Sequence, residues 1–272
     1  MSAATLEVPP AHAGRRTRPF AWVQQSLTLA WRNIVRIRQN PEALADVTFQ
    51  PIIFLVLFVF VFGGAISQGG DWHQYLPYLL PGLLVQTVVF STMGTGVALN
   101  DDFAKGVFDR FRSLPIARIA PLIGAVLGDA VRYALSIVIL MVSGFVLGFR
   151  FENGVANGLL AMLIVLLFAL SMCWIWVWLG LTLKTAQGVQ GIAFLVMFPL
   201  TFGSNIFVPT DTLPGFLQSF VHISPITYLV DTERALMGGG DLQKPLLITL
   251  AWMVGLVAVF APLAIRAYRR RT

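Results

Sequence analysis

Six stretches of the chain are apolar for long enough to cross a bilayer, with polar segments between them. A hydrocarbon core of about 30 Å needs about 20 apolar residues in a helix. The stretches are 47–66, 75–99, 120–149, 155–183, 185–208 and 245–265. Backbone N–H and C=O groups in lipid must be bonded within the segment, so these runs are predicted as helices. Strands of a membrane barrel would be short and alternating, which these are not. The expected fold is therefore all-α, a polytopic membrane protein with six transmembrane helices.

Two other segments have their own character. Over 20–37, Phe20, Val23, Leu27, Ala30, Trp31, Ile34 and Ile37 recur at helical spacing, with Gln25, Arg32 and Arg36 opposite. A basic amphipathic helix of this kind lies in a membrane interface or packs on a soluble partner. Asn40-Pro41 ends it. The predicted division is a disordered cytoplasmic N-terminus over 1–19, an interfacial helix over 20–40, and a transmembrane domain over 41–272. The first 46 residues hold no apolar core of the kind a cleavable signal peptide carries. Residues 209–244 are too polar to cross, rich in Pro and Gly, and end in Gly238-Gly239-Gly240. They are expected to form short helices on, or dipping into, the outer face. No internal repeat is visible, so an inverted-repeat transporter receives no support.

Composition agrees: 57% of the 272 residues are hydrophobic and 12% charged, about half the charge of a soluble domain. The net charge of +6 would raise nucleic-acid binding in a soluble protein, but here the bases flank apolar runs and no nucleic-acid partner is expected. With the N-terminus in the cytoplasm, fifteen Lys and Arg fall inside, against Arg150, Arg234 and Lys244 outside. The positive-inside rule then places both termini in the cytoplasm.

Catalytic signatures are absent. The sequence has no phosphate-binding loop, no dinucleotide fingerprint, no nucleophile elbow and no zinc-helix motif. His12, His73 and His222 lie in separate regions, so no catalytic residue and no metal ligand is assigned. The lone Cys173 sits in an apolar run and reads as a small buried residue.

The loop NDDFAKGVFDRFRSLPIAR at 100–118 has the pattern of a short helix. Asn100 can cap it, and Asp101 and Asp102 suit its first turn. Phe103, Val107, Phe108, Phe111 and Leu114 share one face, with Asp102, Lys105, Asp109, Arg110 and Arg112 around the rest. Pro115 ends it. Such a face inserts into a groove on another protein or rests on lipid headgroups.

Asp129 and Arg132 share a helix face within the third run. They form a structural ion pair, or serve substrate or gating. Small residues punctuate the second run (Gly82, Gly94, Gly96) and the fifth (Gly188, Gly191), where they allow close helix approach. Trp174, Trp176 and Trp178 are expected in the cytoplasmic interface belt, or as a surface on which a flat drug stacks.

The 102–115 segment, with KGVFDRFRSLP, resembles the coupling segment of ABC-2-type permeases, and among these the daunorubicin/doxorubicin-resistance permeases of actinobacteria. LPGLLVQ at 80–86, GDAVRYALSIVI at 128–139, GFVLGFR at 144–150 and the block 198–237, with PGFLQ and PITYLVD, are similar too. Ala104 stands where the family often has Glu. The resemblance implies a permease subunit of an ATP-driven exporter, built from two permeases, identical or homologous, and two copies of an ABC ATPase. ATP and Mg would be bound by the ATPase, and this chain would not be an enzyme. It further implies that Asp102, Lys105, Gly106, Phe108, Asp109 and Arg110 dock the ATPase, and that Pro214, Gly215 and Pro225 shape an outer re-entrant region. The implied cargo is a hydrophobic drug, antibiotic or other natural product, with a lipid or glycan as the alternative. An ion-coupled secondary transporter fits less well, because five of the six runs carry no ionisable residue near the midplane.

Overall fold

The computed structural model describes residues 41–63, 72–108, 120–207, 210 and 214–271. The interfacial helix expected over 20–40 and the disordered segment over 1–19 lie outside the described residues, as do Asp109 and Arg110. Among the described residues every regular element is helical.

Helix α1 spans Pro41–Leu57 and continues as a π-helical stretch, Phe58–Phe62. Then come α2 (Trp72–Ala104), α3 (Ala120–Val146), α4 (Val155–Thr182), α5 (Ala186–Phe202), α6 (Gly215–Val221), α7 (Pro225–Gly238) and α8 (Gln243–Arg271). Four of them, α2, α3, α4 and α8, are long and apolar enough to cross a membrane. α1 and α5 are the shorter apolar helices. At 17 residues, α5 is roughly 25 Å long, so the run expected to extend to 208 ends early. Gly203 stops it, its N–H bonded to the Pro199 carbonyl.

α2 occupies the centre. It packs against α1, α3, α4, α5 and α7, while α8 lies along α4, and α1 mostly along α3. The α2–α4 seam is the tightest. A Cβ on Gly96 would lie 2.9 Å from the carbonyl carbon of Trp176, and one on Gly180 would lie 3.1 Å from that of Gly96. Only glycine lets the two backbones meet so closely. Trp176 is fully buried in this seam and its Nε1–H donates to Thr92 Oγ1 at 2.8 Å. The interface-belt role expected of Trp176 is therefore corrected: it bolts two helices together. Trp178 instead meets Phe260 of α8, ring centroids 5.8 Å apart. Cys173 is buried as expected, its thiol directed at the Leu170 carbonyl.

The glycines of α5 serve no comparable seam. Nothing lies within 4 Å of a Cβ built on Gly191, and Gly188 supplies the N–H that the Thr185 hydroxyl caps. Of the second-run glycines, Gly96 is the one that meets the Gly180 backbone of α4.

Candidate functional site

Three regions bear on function: the turn that ends α2, a cleft along α2, and a polar network at the far end of the bundle.

The first begins at Asn100. The expected cap of a separate helix is corrected, because α2 runs through Asn100 to Ala104. The Asn100 side chain faces inward and donates from Nδ2 to the carbonyls of Gly180 and Leu183, both at 2.8 Å. These are carbonyls at the end of α4, which lack helical partners. Arg271 of α8 also donates to Leu183 O at 2.7 Å. One turn on, Gly106 adopts φ 68° and its N–H bonds to Phe103 O. A left-handed glycine ends a helix without the strain a Cβ would bring, and the chain turns sharply at Lys105-Gly106.

Lys105 and Ala104 are exposed there, while Asp102, Phe103, Gly106 and Val107 are half-buried. Phe108 is 4% exposed and stacks on Phe103, centroids 4.0 Å apart, with Tyr268 of α8 edge-on at 5.8 Å. Phe108, expected among the docking residues, is thus covered within this chain. Its ring closes an aromatic cluster within this chain, because a partner-facing ring in water would forgo that burial.

The second region lies between α1 and α5 over the face of α2. A cavity of about 460 Å³ opens at the end nearer Asp101, lined among others by Gln50, Ser91, Arg132, Ser136 and Gln190. A narrower apolar pocket of about 240 Å³ shares Gln50, Thr87, Phe90 and Phe194 with it, and adds Gln86, Phe54, Phe198 and Phe202. Phe202 stacks near Phe207, which stacks on Phe58 of the π-helical stretch at 4.5 Å. The cleft thus grades from polar to aromatic along α2.

Arg132 and Asp129 are brought together, N to O 3.4 Å, each about one-fifth exposed. Arg132 also donates to Ser91 O of α2 at 2.9 Å, and its guanidinium lies flat over Gly94. Arg132 lines the cavity. Arg132 thus ties α3 to α2 and stands on the cleft wall, with Asp129 beside it.

The third region centres on α7, which Pro225 starts at its first turn. Pro214 precedes the first residue of α6, Gly215. Both prolines therefore mark the starts of short helices, in the segment where short helices were expected. Arg234 of α7 donates to Tyr78 O at 3.2 Å, Asn205 O at 2.9 Å and Ile206 O at 3.0 Å. Its guanidinium also lies 3.7 Å from the Tyr78 ring centre. Tyr75 and Tyr78 donate to the carbonyls of Phe207 and Asn205 at 2.9 and 3.1 Å. Gly82 lets this segment touch α2, since a Cβ there would meet Ile206 O at 2.8 Å. Burial lowers the Arg234 guanidinium from its usual value, offset in part by Tyr78 and Asp231. Burial likewise raises the Asp231 carboxyl against the pull of Asn205 and Arg234.

Glu233, next to Arg234, is wholly buried, and among the described residues neither carboxyl oxygen has a hydrogen-bond partner. Desolvation pushes its carboxyl well above the usual range. Sequence reading treated Arg234 only as an outer charge and passed over Glu233. The one available signal was a Asp-x-Glu-Arg cluster in an otherwise apolar stretch. It passed over the cleft glutamines and phenylalanines as well.

Residues 24–237 match the family described as ABC-2 type transporter. The chain is 39% identical over 259 residues to the daunorubicin resistance ABC transporter permease protein DrrB1 of Streptomyces coeruleorubidus, covering 95% of this chain and 91% of that one. It is 24% identical over 270 residues to the probable doxorubicin resistance ABC transporter permease protein DrrC of Mycobacterium tuberculosis, covering 97% and 96%. The inner membrane transport permease YadH of Escherichia coli is 27% identical over 219 residues, covering 77% and 82%.

Proposed function

Because the chain belongs to the ABC-2 type transporter family, we propose that it is the membrane-spanning permease subunit of an ATP-driven exporter. Its cargo is a hydrophobic drug, antibiotic or other natural product. The drug-resistance names of its relatives support that class, and so does a cleft whose polar end leads to a row of phenylalanines. A flat apolar molecule gains by stacking on such rings, while Gln50 and Gln86 satisfy scattered polar groups.

In this reading the chain crosses the bilayer six times, with α1 and α5 as the shorter passes and both termini in the cytoplasm. The α6–α7 segment forms the outer, re-entrant cap. The chain pairs with a second permease, identical or homologous, and with two ATPase subunits, which bind ATP and Mg. The N-terminal segment 20–40 lies in the cytoplasmic interface. Asp102, Lys105, Gly106, Asp109 and Arg110 contact the ATPase, and Phe108 braces them.

The observation that carries this reading is the continuity of α2. Its 33 residues span roughly 50 Å, from the Lys105-Gly106 turn, past the cleft, to the Arg234 network. In this reading a displacement of the turn by a closing ATPase pair reaches the cleft along α2, and the cap beyond Pro81 and Pro77, which lie inside the helix. A photocrosslinking amino acid at position 105, exposed and outside the packed core, should capture the ATPase in membranes. Capture at position 255, on the surface of α8, should fail. Capture at 255 but not at 105 would remove the docking assignment.

A further inference from the structure

A second concavity lies away from the cleft and shares no residue with it. It runs between α3 and α4 at the end of the bundle near the 147–154 connection and encloses about 420 Å³. Apart from Arg150, every side chain lining it is apolar, among them Val142 and Phe145 of α3 and Val155 and Leu159 of α4. The apolar lining extends seven residues along each helix, from Phe145 back to Val138 and from Val155 to Met162. That is a depth of about 10 Å, within the roughly 15 Å of hydrocarbon in one leaflet.

Local packing builds this shape. Phe151 lies against α4 because Gly158 has no side chain, and a Cβ there would collide with the ring. Phe145, Phe149 and Phe151 then pack edge to face, with centroids 5.2 and 5.7 Å apart for the pairs involving Phe151. Arg150 sits at the lip. Its Nη1 donates to the carbonyls of Phe145 and Phe149, at 3.1 and 2.7 Å. The negative end of α3 thus holds a cation in place. Among the described residues no carboxylate pairs with Arg150 and its other nitrogens make no hydrogen bond, although the side chain is exposed.

We infer that this groove is a site for one anionic phospholipid, with an acyl chain between α3 and α4 and the phosphate on Arg150. The guanidinium presents a fixed fork suited to phosphate oxygens. The apolar lining adjoins it, as acyl chains adjoin the headgroup of a lipid. Neither part alone makes the site: the groove lacks any other polar group, and one surface arginine binds phosphate weakly in water. The inference rests only on the chain spanning a membrane and uses neither the ATPase nor the exported cargo.

The full chain, purified in mild detergent, is exposed in turn to phosphatidylglycerol, to a diacylglycerol without phosphate, and to glycerol phosphate without chains. Retention is read by native mass spectrometry. One phosphatidylglycerol should remain under conditions that strip the other two. Arg150→Gln and Leu159→Trp should each lower that retention by about tenfold. Leu159 is 59% exposed, so its replacement fills the groove and leaves the core intact. Equal retention of diacylglycerol, retention of glycerol phosphate alone, or wild-type retention by both variants would overturn the site. A changed subunit stoichiometry in Leu159→Trp with lipid retention intact would also overturn it, by placing a second copy of the chain on the groove. None of these readouts depends on transport, so failure here and failure of the exporter reading are told apart.

Discussion

Gly96→Ala adds one methyl group where two helix backbones touch. The new Cβ would lie 2.9 Å from the carbonyl carbon of Trp176 and closer still to its oxygen. Both atoms belong to helix backbone and cannot turn aside. Restoring ordinary contact, 3.4 Å or more, parts α2 and α4 by about 1 Å. Three hydrogen bonds cross or cap this seam at 2.8 Å: Trp176 to Thr92, and Asn100 to Gly180 and to Leu183. A 1 Å separation takes all three beyond useful length. Each interhelical bond in a membrane averages about 0.6 kcal/mol, and overpacking adds about 1–3 kcal/mol. The expected total is about 3–5 kcal/mol. Titration of the purified protein from mild detergent into dodecyl sulfate, followed by tryptophan fluorescence, reads this directly. Gly191→Ala is the control, since nothing lies within 4 Å of its Cβ; it should stay within about 0.5 kcal/mol of wild type. Wild-type stability for Gly96→Ala, or a larger loss for Gly191→Ala, would refute the seam.

Three further outcomes follow from single side chains. Desolvation raises the Glu233 carboxyl in the folded protein, whereas in the unfolded chain it titrates at about 4.3. Stability should therefore fall as pH rises from about 4.3 toward the raised folded value. Glu233→Gln should flatten that slope, matching wild type at pH 4.5 and melting higher at pH 8; parallel thermal curves would contradict this. Phe108→Asp should lower the amount of folded protein, because it places a carboxylate between Phe103 and Tyr268, costing about 3 kcal/mol. Phe108→Leu should preserve folding, and normal yield of the aspartate variant by size-exclusion chromatography would return Phe108 to the surface. Arg132→Gln should insert normally yet lower cargo-stimulated ATP hydrolysis by about tenfold, and Asp129→Asn should lower it less. Equal loss of folded protein in both would reduce the pair to a brace.

The apolar runs located α3 and α4 to within three residues, because length and apolarity decide whether a segment enters lipid, but fell five and six residues short of the C-terminal ends of α2 and α8. Packing faces were another matter. In water an apolar stripe marks the buried side of a helix, but in lipid buried and lipid-facing sides are equally apolar. Trp176 and Trp178 sit two positions apart in the same run, and nothing local distinguishes the fully buried ring from the one on α8. Gly96 was legible as a small residue, yet its partner Gly180 was not, because pairing depends on which helices neighbour each other. The 100–108 segment shows the opposite failure. Its aromatic spacing suggests one helix face, but α2 ends at Ala104, the chain turns at Gly106, and Tyr268 of the last helix packs on Phe103 and Phe108; Phe111 and Leu114 lie outside the described residues. Arg234 was visible as a charge, whereas its role depends on carbonyls that the 203–207 turn turns toward it.

Co-reconstitution of the permease with its ATPase in proteoliposomes, with a panel of fluorescent hydrophobic drugs offered as cargo, tests the central claim most directly. The account predicts that cargo moves only when ATP and Mg are present on the ATPase side, and that Lys105→Glu slows movement without displacing the permease from the bilayer. Movement driven by a proton gradient in vesicles free of nucleotide and ATPase would contradict it.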